Sequence, residues 1–266
     1  MKTVLFNIVA IYRRELLSYF TSPLMYAIAA VFWLISGFLF TVTLDGVIQQ
    51  AAQYDQATAS GISTAPIDIP YEFIRTILGV IGSLSLFVLP ILSMGLYAEE
   101  RKRGTLELLA TSPVTNWAVA VGKLLGVMTF FFTMSLPLLV YEAIALSSVN
   151  PPIQVNVLLL GHLALLLLAG SVLSLGMFMS SLTDSTIVAA IFTFALVLAL
   201  WVVDLVAQNF GGAVGEAIGH LSLLKHYTNL IQGIVDTSSL VVFASYIFLG
   251  IFLTAQSIDT FRFQRS

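Results

Sequence analysis

The side chains of this sequence best suited to catalysis or ion handling are few. Three are histidines, His162, His220 and His226, and two are isolated acids beside apolar runs, Glu142 and Asp204. A zinc hydrolase would place two histidines four apart with a glutamate after the first, and no H-E-x-x-H is present. There is no cysteine, which excludes disulfides and thiolate metal sites. "GSVLSLG", residues 170–176, has the small residues of a nucleophile elbow. It lies inside a long apolar run, where such residues serve helix packing. Gly122-Lys123 lacks the upstream glycine and the following Ser or Thr of a P-loop, so the sequence offers no nucleotide site of that kind. Gly122-x-x-x-Gly126 reads instead as a place for two helices to approach closely. A charge at the centre of a bilayer costs about 2.5–3.5 kcal/mol on insertion scales, and much less near its edge. Glu142 and Asp204 fall near the ends of their runs, so no proton relay is demanded, and the histidines read as structural.

One stretch stands apart. "YAEERKRGTLELLATSPVT", residues 97–115, gathers Glu99, Glu100, Arg101, Lys102, Arg103 and Glu107 within nine positions of a chain that is only 9% charged. An ordinary basic loop flanking two membrane helices would need only the three cations. It would not need the Glu-Glu pair, a glycine turn at Gly104, a short amphipathic run in which Thr105 caps and Leu106, Leu109 and Ala110 share a face, or the Ser112-Pro113 stop. Those features suit a surface that docks another protein.

The elements that carry this stretch follow from hydropathy. The 266 residues are 58% hydrophobic, with a mean hydropathy of +0.98. Soluble domains hold about 25% charged residues, so this chain belongs in a membrane. Isolated continuous apolar runs pair their backbone in lipid only as helices, and a β-barrel pattern of alternation is absent. Six runs are long enough to span: 24–44, 76–97, 114–146, 157–182, 185–207 and 240–258. The fold expected is an all-α integral membrane protein, a single domain over 1–266. Residues 1–22 form an interfacial helix with Leu5, Val9, Tyr12, Leu16 and Phe20 in lipid and Asn7, Arg14 and Ser18 opposite. Ser22-Pro23 ends that helix and starts the next. Residues 45–70 read as a solvated loop that is helical only in part, and 208–236 as short re-entrant helices on the outer side. Of the Lys and Arg residues, Lys2, Arg13, Arg14, Arg101, Lys102, Arg103, Lys123, Arg262 and Arg265 lie on one side of this model and only Arg75 and Lys225 on the other. The positive-inside rule then puts both termini in the cytoplasm, with no cleaved signal peptide.

"EERKRGTLELLATSPVT" resembles the signature of ABC-2-type transporter permeases, and "RRELLSYFTSPLMY" is similar to the opening of the same family. "SSLTDSTIVAA" and "LKHYTNLIQGIVDTSSLVVFASYIFLGIFLT" resemble the subgroup associated with gliding motility and nitrous-oxide-reductase maturation. The resemblance implies a dimer of permeases, with a second or related copy, in a bacterial or archaeal inner membrane. It implies two separate ATPase subunits that bind ATP and Mg, no cofactor and no catalytic site on this chain, and no nucleic-acid partner. It makes Gly104, Thr105, Leu106, Glu107, Leu108 and Leu109 a cytoplasmic coupling helix that ends at Ser112 and Pro113. Glu99, Glu100, Arg101 and Arg103 would pair with the ATPase or with the N-terminal helix that carries Arg13, Arg14 and Glu15. The function implied is export driven by ATP hydrolysis on the partner. The alternative is a non-transporting subunit that passes motor motion to an extracytoplasmic partner, and the small outer loops speak against it.

Overall fold

The computed structural model describes residues 2–61, 68–106, 114–147, 149, 155–209 and 212–263. Every described element is a helix, as backbone satisfaction in lipid requires. They are α1 (Lys2–Thr21), α2 (Pro23–Ala59), α3 (Ile69–Ser93), α4 (Gly95–Lys102), α5 (Asn116–Ser147), α6 (Val155–Ser181), α7 (Thr186–Asn209), α8 (Gly212–Gly219), α9 (Leu223–Ile231) and α10 (Thr237–Phe263). Six stretches are long and apolar enough to cross a membrane: α2, α3 with α4, α5, α6, Thr186–Val203 of α7 and Thr237–Thr260 of α10. The chain is a multi-pass membrane protein.

Helix α6 is the centre of the bundle. Two-thirds of its apolar window is buried inside the chain, against 17% for α2 and for α7. Its neighbours are α10, α3, α7, α5, α9 and α4. The contact with α10 is made by small residues. Ser171 and Ser174 turn their hydroxyls to the Phe243 and Tyr246 carbonyls at 3.4 and 3.3 Å. A Cβ on Gly250 would stand 2.5 Å from the Ser174 carbonyl carbon. In lipid, such packing takes the place of a hydrophobic driving force.

Two elements go beyond the sequence reading. Helix α2 runs on for 37 residues, about 55 Å at 1.5 Å per residue and well beyond a hydrocarbon core of about 30 Å. The segment 45–59 continues the helix where a loop was expected in large part. It is rich in Ala and Gln, holds no proline, and buries Val47 with Ala51 and Tyr54 half-covered, so both propensity and packing favour the helix. Helix α1 keeps the projected lipid side and adds a second apolar face that the projection did not contain. Leu5 and Val9 are exposed, at 61% and 46%. The face turned into the protein is Ile8, Ile11, Glu15 and Tyr19, of which Glu15 and Tyr19 are buried. This helix therefore has two apolar sides, one toward the chain and one open to lipid.

Between α3 and α4 the backbone is interrupted at Met94, four residues beyond Pro90. Proline has no N–H for the helical ladder and bends the chain where it sits. At the other end of the bundle, the short helices α8 and α9 fill the interval before α10. Ser222 caps α9 by accepting the Lys225 N–H at 3.1 Å. Tyr227 donates to the Leu78 carbonyl at 2.5 Å. Burial pushes the Tyr227 phenol up, so it stays a donor. His226 is buried between Ser239 Oγ at 2.8 Å and the His220 carbonyl at 3.1 Å, a structural tie from α9 to α10. Hydrogen bonds from Ser238 hold the exposed Asp236 carboxyl below its ordinary range at the start of α10.

Candidate coupling site

The interruption at Met94 is held by side chains from three other helices. Ser180 of α6 accepts the N–H groups of Tyr97 and Ala98, both at 3.0 Å, and donates to the Met94 carbonyl at 2.8 Å. Tyr19 of α1 donates to the Leu92 carbonyl at 2.7 Å. Burial, and then the nearby Glu15 carboxylate, push the Tyr19 phenol well above its usual range and keep its proton in place. Lys123 of α5 donates to the Leu96 carbonyl at 2.7 Å.

Lys123 is the hub. Its side chain is 2% exposed, and its ammonium lies 2.7 Å from Glu15 Oε1 and 3.1 Å from Glu100 Oε1. It also sits over the Tyr97 ring, 4.9 Å from the centroid. Arg14, largely exposed, reaches the same Glu100 oxygen at 3.3 Å. Two carboxylates and two cations thus balance. Three segments meet at this point: the N-terminal helix, the broken exit of the second span, and the third span. Of the three hydrogens of the ammonium, the Glu15 carboxylate and the Leu96 carbonyl accept two, and the Glu100 carboxylate lies within ion-pair distance. Burying the charge costs several kcal/mol per ion, which such close pairing offsets.

Close approach of α1 to α5 makes the cluster possible. A Cβ on Gly122 would meet the Ile11 side chain at 2.9 Å, and one on Gly126 would meet Glu15 Cβ at 2.7 Å. The Gly122-x-x-x-Gly126 pattern is therefore the groove in which α1 lies.

The charged stretch divides. Glu99 and Arg103 form an exposed pair at 3.5 Å, one turn apart. Arg101 donates to the Ser181 carbonyl at 3.0 Å, at the end of α6. Arg13 is exposed. Gly104 has φ +69°, and its N–H reaches the Arg101 carbonyl while the Thr105 N–H reaches Glu100, at 3.1 and 3.0 Å. That is a Schellman end, and glycine suits its left-handed position. The Thr105 hydroxyl also donates to the Glu100 carbonyl at 3.2 Å, so it closes α4. Leu106 is 7% exposed and belongs to the main apolar core, so this leucine is not offered to a partner. Glu107, Leu108, Leu109, Ser112 and Pro113 lie outside the described residues.

Sequence reasoning named Arg14, Glu15 and Glu100 but counted Lys123 only as a marker of membrane sidedness. The available signal was its position. A lone lysine eight residues inside a 32-residue apolar helix needs a partner, and Glu15 is an acid in otherwise apolar and basic surroundings while Glu100 belongs to the Glu-Glu pair at the end of a span.

The family model for the ABC-2 family transporter protein matches residues 9–266. No curated protein matches the sequence.

Proposed function

The chain belongs to the ABC-2 family of transporter proteins, and from that premise we propose that it is an exporter subunit whose α4 end receives the stroke of its ATPase. Members of this family are membrane subunits of ABC transporters and partner with an ABC ATPase. In our reading two ATPase copies bind and hydrolyse ATP with Mg. Two permeases, identical or related, form the pathway. Both termini and the stretch 99–113 face the cytoplasm of a bacterial or archaeal cell. The coupling helix begins after Gly104 and involves Glu107, Leu108 and Leu109. The four matched segments favour the subgroup related to gliding motility and nitrous-oxide-reductase maturation.

The observation that carries this reading is the Glu15–Lys123–Glu100–Arg14 cluster. It lies directly before the stretch and joins α4 to α1 and α5 through buried charge. A push on residues after Gly104 passes into α4, and the cluster forces α1 and α5 to move with it. Side chains that are closely packed and ion-paired transmit displacement because they have little slack.

Purification of the tagged chain from its native membrane tests this. An ABC ATPase is expected to co-purify, and its hydrolysis in the reconstituted complex is expected to depend on Gly104. A valine there must adopt a left-handed backbone, at a cost of about 1–2 kcal/mol, so Gly104→Val redirects the chain after α4. The coupled rate is expected to fall about tenfold, with insertion and α1 docking unchanged, while Gly104→Asn keeps most of it. Absence of any ATPase, or equal coupling in the valine variant, would sink the proposal. Sidedness has its own test. Thr58 lies in the polar end of α2, and a cysteine there is the sole thiol of the chain. Thr58→Cys is expected to react with an impermeant maleimide on intact cells. Reaction only after lysis reverses the topology.

A further inference from the structure

At the other end of the bundle a second buried pair has no use in the reading above. Glu142 of α5 is 0% exposed, and neither carboxyl oxygen has a hydrogen-bond partner among the described residues. His162 of α6 places Nδ1 3.7 Å from Glu142 Oε2 and 3.1 Å from the Leu158 carbonyl. A carbonyl only accepts, so Nδ1 carries a hydrogen. In the neutral ring Nε2 is then a bare acceptor, and it too is buried without a partner. Three buried acceptor atoms, two on α5 and one on α6, thus have no donor among the described residues.

The surroundings do not provide one. Helix α9 brings Tyr227, whose hydroxyl is committed to the Leu78 carbonyl, and turns His226 away toward Ser239. Helix α3 carries Glu72 and Arg75, which pair with each other at 3.3 Å on the surface. Helix α2 contributes Phe40, packed on Tyr141 and Phe73, and its Asp45 is bound to Gln49 at an exposed position. Among the described residues His162 is the one basic side chain within 4 Å of Glu142. A carboxylate here would have neither donor nor full countercharge, which the interior penalises by several kcal/mol. A neutral carboxyl relieves the charge and needs only one proton.

We propose that Glu142 and His162 form a proton-binding site inside the transmembrane region, with the proton held on the Glu142 carboxyl when α5, α6 and α9 are packed together. The step is simple in atoms. A hydronium from the solvent at that end gives its proton to the carboxylate and becomes water, and the reverse step returns it. Release requires water to reach the pair, so it requires α9 and the adjoining ends of α5 and α6 to separate. Proton release is thereby tied to opening at this end, and acid solvent there favours the closed packing. The sequence alone gave Glu142 no such role, because its distance from the helix end suggested hydration and its neighbour across the bundle was invisible.

Infrared spectroscopy of the purified chain in lipid tests this without any ATPase, so it stands or falls separately from the transport reading. The native chain at neutral pH is expected to show a protonated-carboxyl C=O band that shifts in heavy water and is missing in Glu142→Gln. Because glutamine mimics the neutral acid, that variant is expected to melt at the native temperature. Glu142→Asp keeps the acid and is expected to move the band rather than remove it. His162→Phe removes the neighbouring imidazole and is expected to shift the pH at which the band disappears by about one unit or more. If native and Glu142→Gln spectra coincide across the pH range, Glu142 is ionised throughout and the proposal is overturned. Marked thermal destabilisation of Glu142→Gln with no lost band leads to the same conclusion.

Discussion

Replacing Lys123 by methionine is expected to destabilise the protein by about 3–5 kcal/mol, the usual effect of removing one partner from a buried ion pair. Methionine fills the space of the lysine stem but leaves Glu15 and Glu100 facing each other, with only the exposed Arg14 nearby. It also leaves the Leu96 carbonyl without its donor. Lys123→Arg is expected to be damaged too, since a planar fork does not fit a pocket that leaves its occupant 2% exposed. The informative variant neutralises all three buried charges together, as Glu15→Gln, Glu100→Gln and Lys123→Met. Hydrogen-bonding or apolar replacements of a whole ionic cluster are often neutral in stability, so the triple variant is expected to melt within a few degrees of the native protein. Its coupling to the ATPase is expected to fall nonetheless, because α4 is no longer tied to α1 and α5 by charge. Thermal melting in detergent reads the first effect, and hydrolysis in the reconstituted complex reads the second. A triple variant as unstable as Lys123→Met would mean that the cluster serves stability through something other than charge balance.

Much of the architecture could be read from the sequence because lipid imposes one rule. Continuous apolar runs of sufficient length become helices, and their number can be counted without any tertiary information. The glycine turn at Gly104 was legible for a similarly local reason, since charge, Gly and Thr in that order mark a helix end. What escaped was everything that depends on which helices become neighbours. The projection of α1 put Leu5 and Val9 toward lipid, where they are exposed, but missed the inward face of Ile11, Glu15 and Tyr19, because an amphipathic projection assigns acids to water. The fold instead brings Lys123 to Glu15, which reverses that assignment. Helix α2 was cut short at Leu44, since hydropathy falls there while helix propensity does not. Leu106 looked available to a partner because nothing local distinguishes a leucine buried in its own chain from one that another chain will cover. The Glu142–His162 pair is a contact between residues 20 apart on different helices, and no local pattern announces it.

The same cluster makes a second, independent prediction through its glycines. Gly126→Leu is expected to dislodge α1. A Cβ at that position would lie 2.7 Å from Glu15 Cβ and 3.4 Å from the Leu16 N, so the clash is with the root of a side chain and with backbone, neither of which can swing aside. Overpacking of this kind costs typically about 1–3 kcal/mol where neighbours can shift. Here the shift itself carries Glu15 away from Lys123 and adds the loss of a buried ion pair, about 3–5 kcal/mol in similar settings. The protein is not expected to absorb the whole sum by unfolding. Helix α1 can peel away into the interface, where its exposed apolar face of Leu5, Phe6 and Leu17 is already suited to lie. That route leaves the six-helix bundle inserted and the cluster broken. Gly37→Leu is the control, since nothing lies within 4 Å of a Cβ at that position of α2. A single cysteine at Ile11, which packs against Gly122 in the native arrangement, reports the outcome. Its maleimide reactivity is expected to rise at least tenfold in the Gly126→Leu background and to stay at the native rate in Gly37→Leu, a difference of about 1.4 kcal/mol in the docking equilibrium. Equal reactivity in both backgrounds would show that α1 does not depend on this groove, and the close packing of Glu15 on Gly126 would then have no part in holding the charge cluster together.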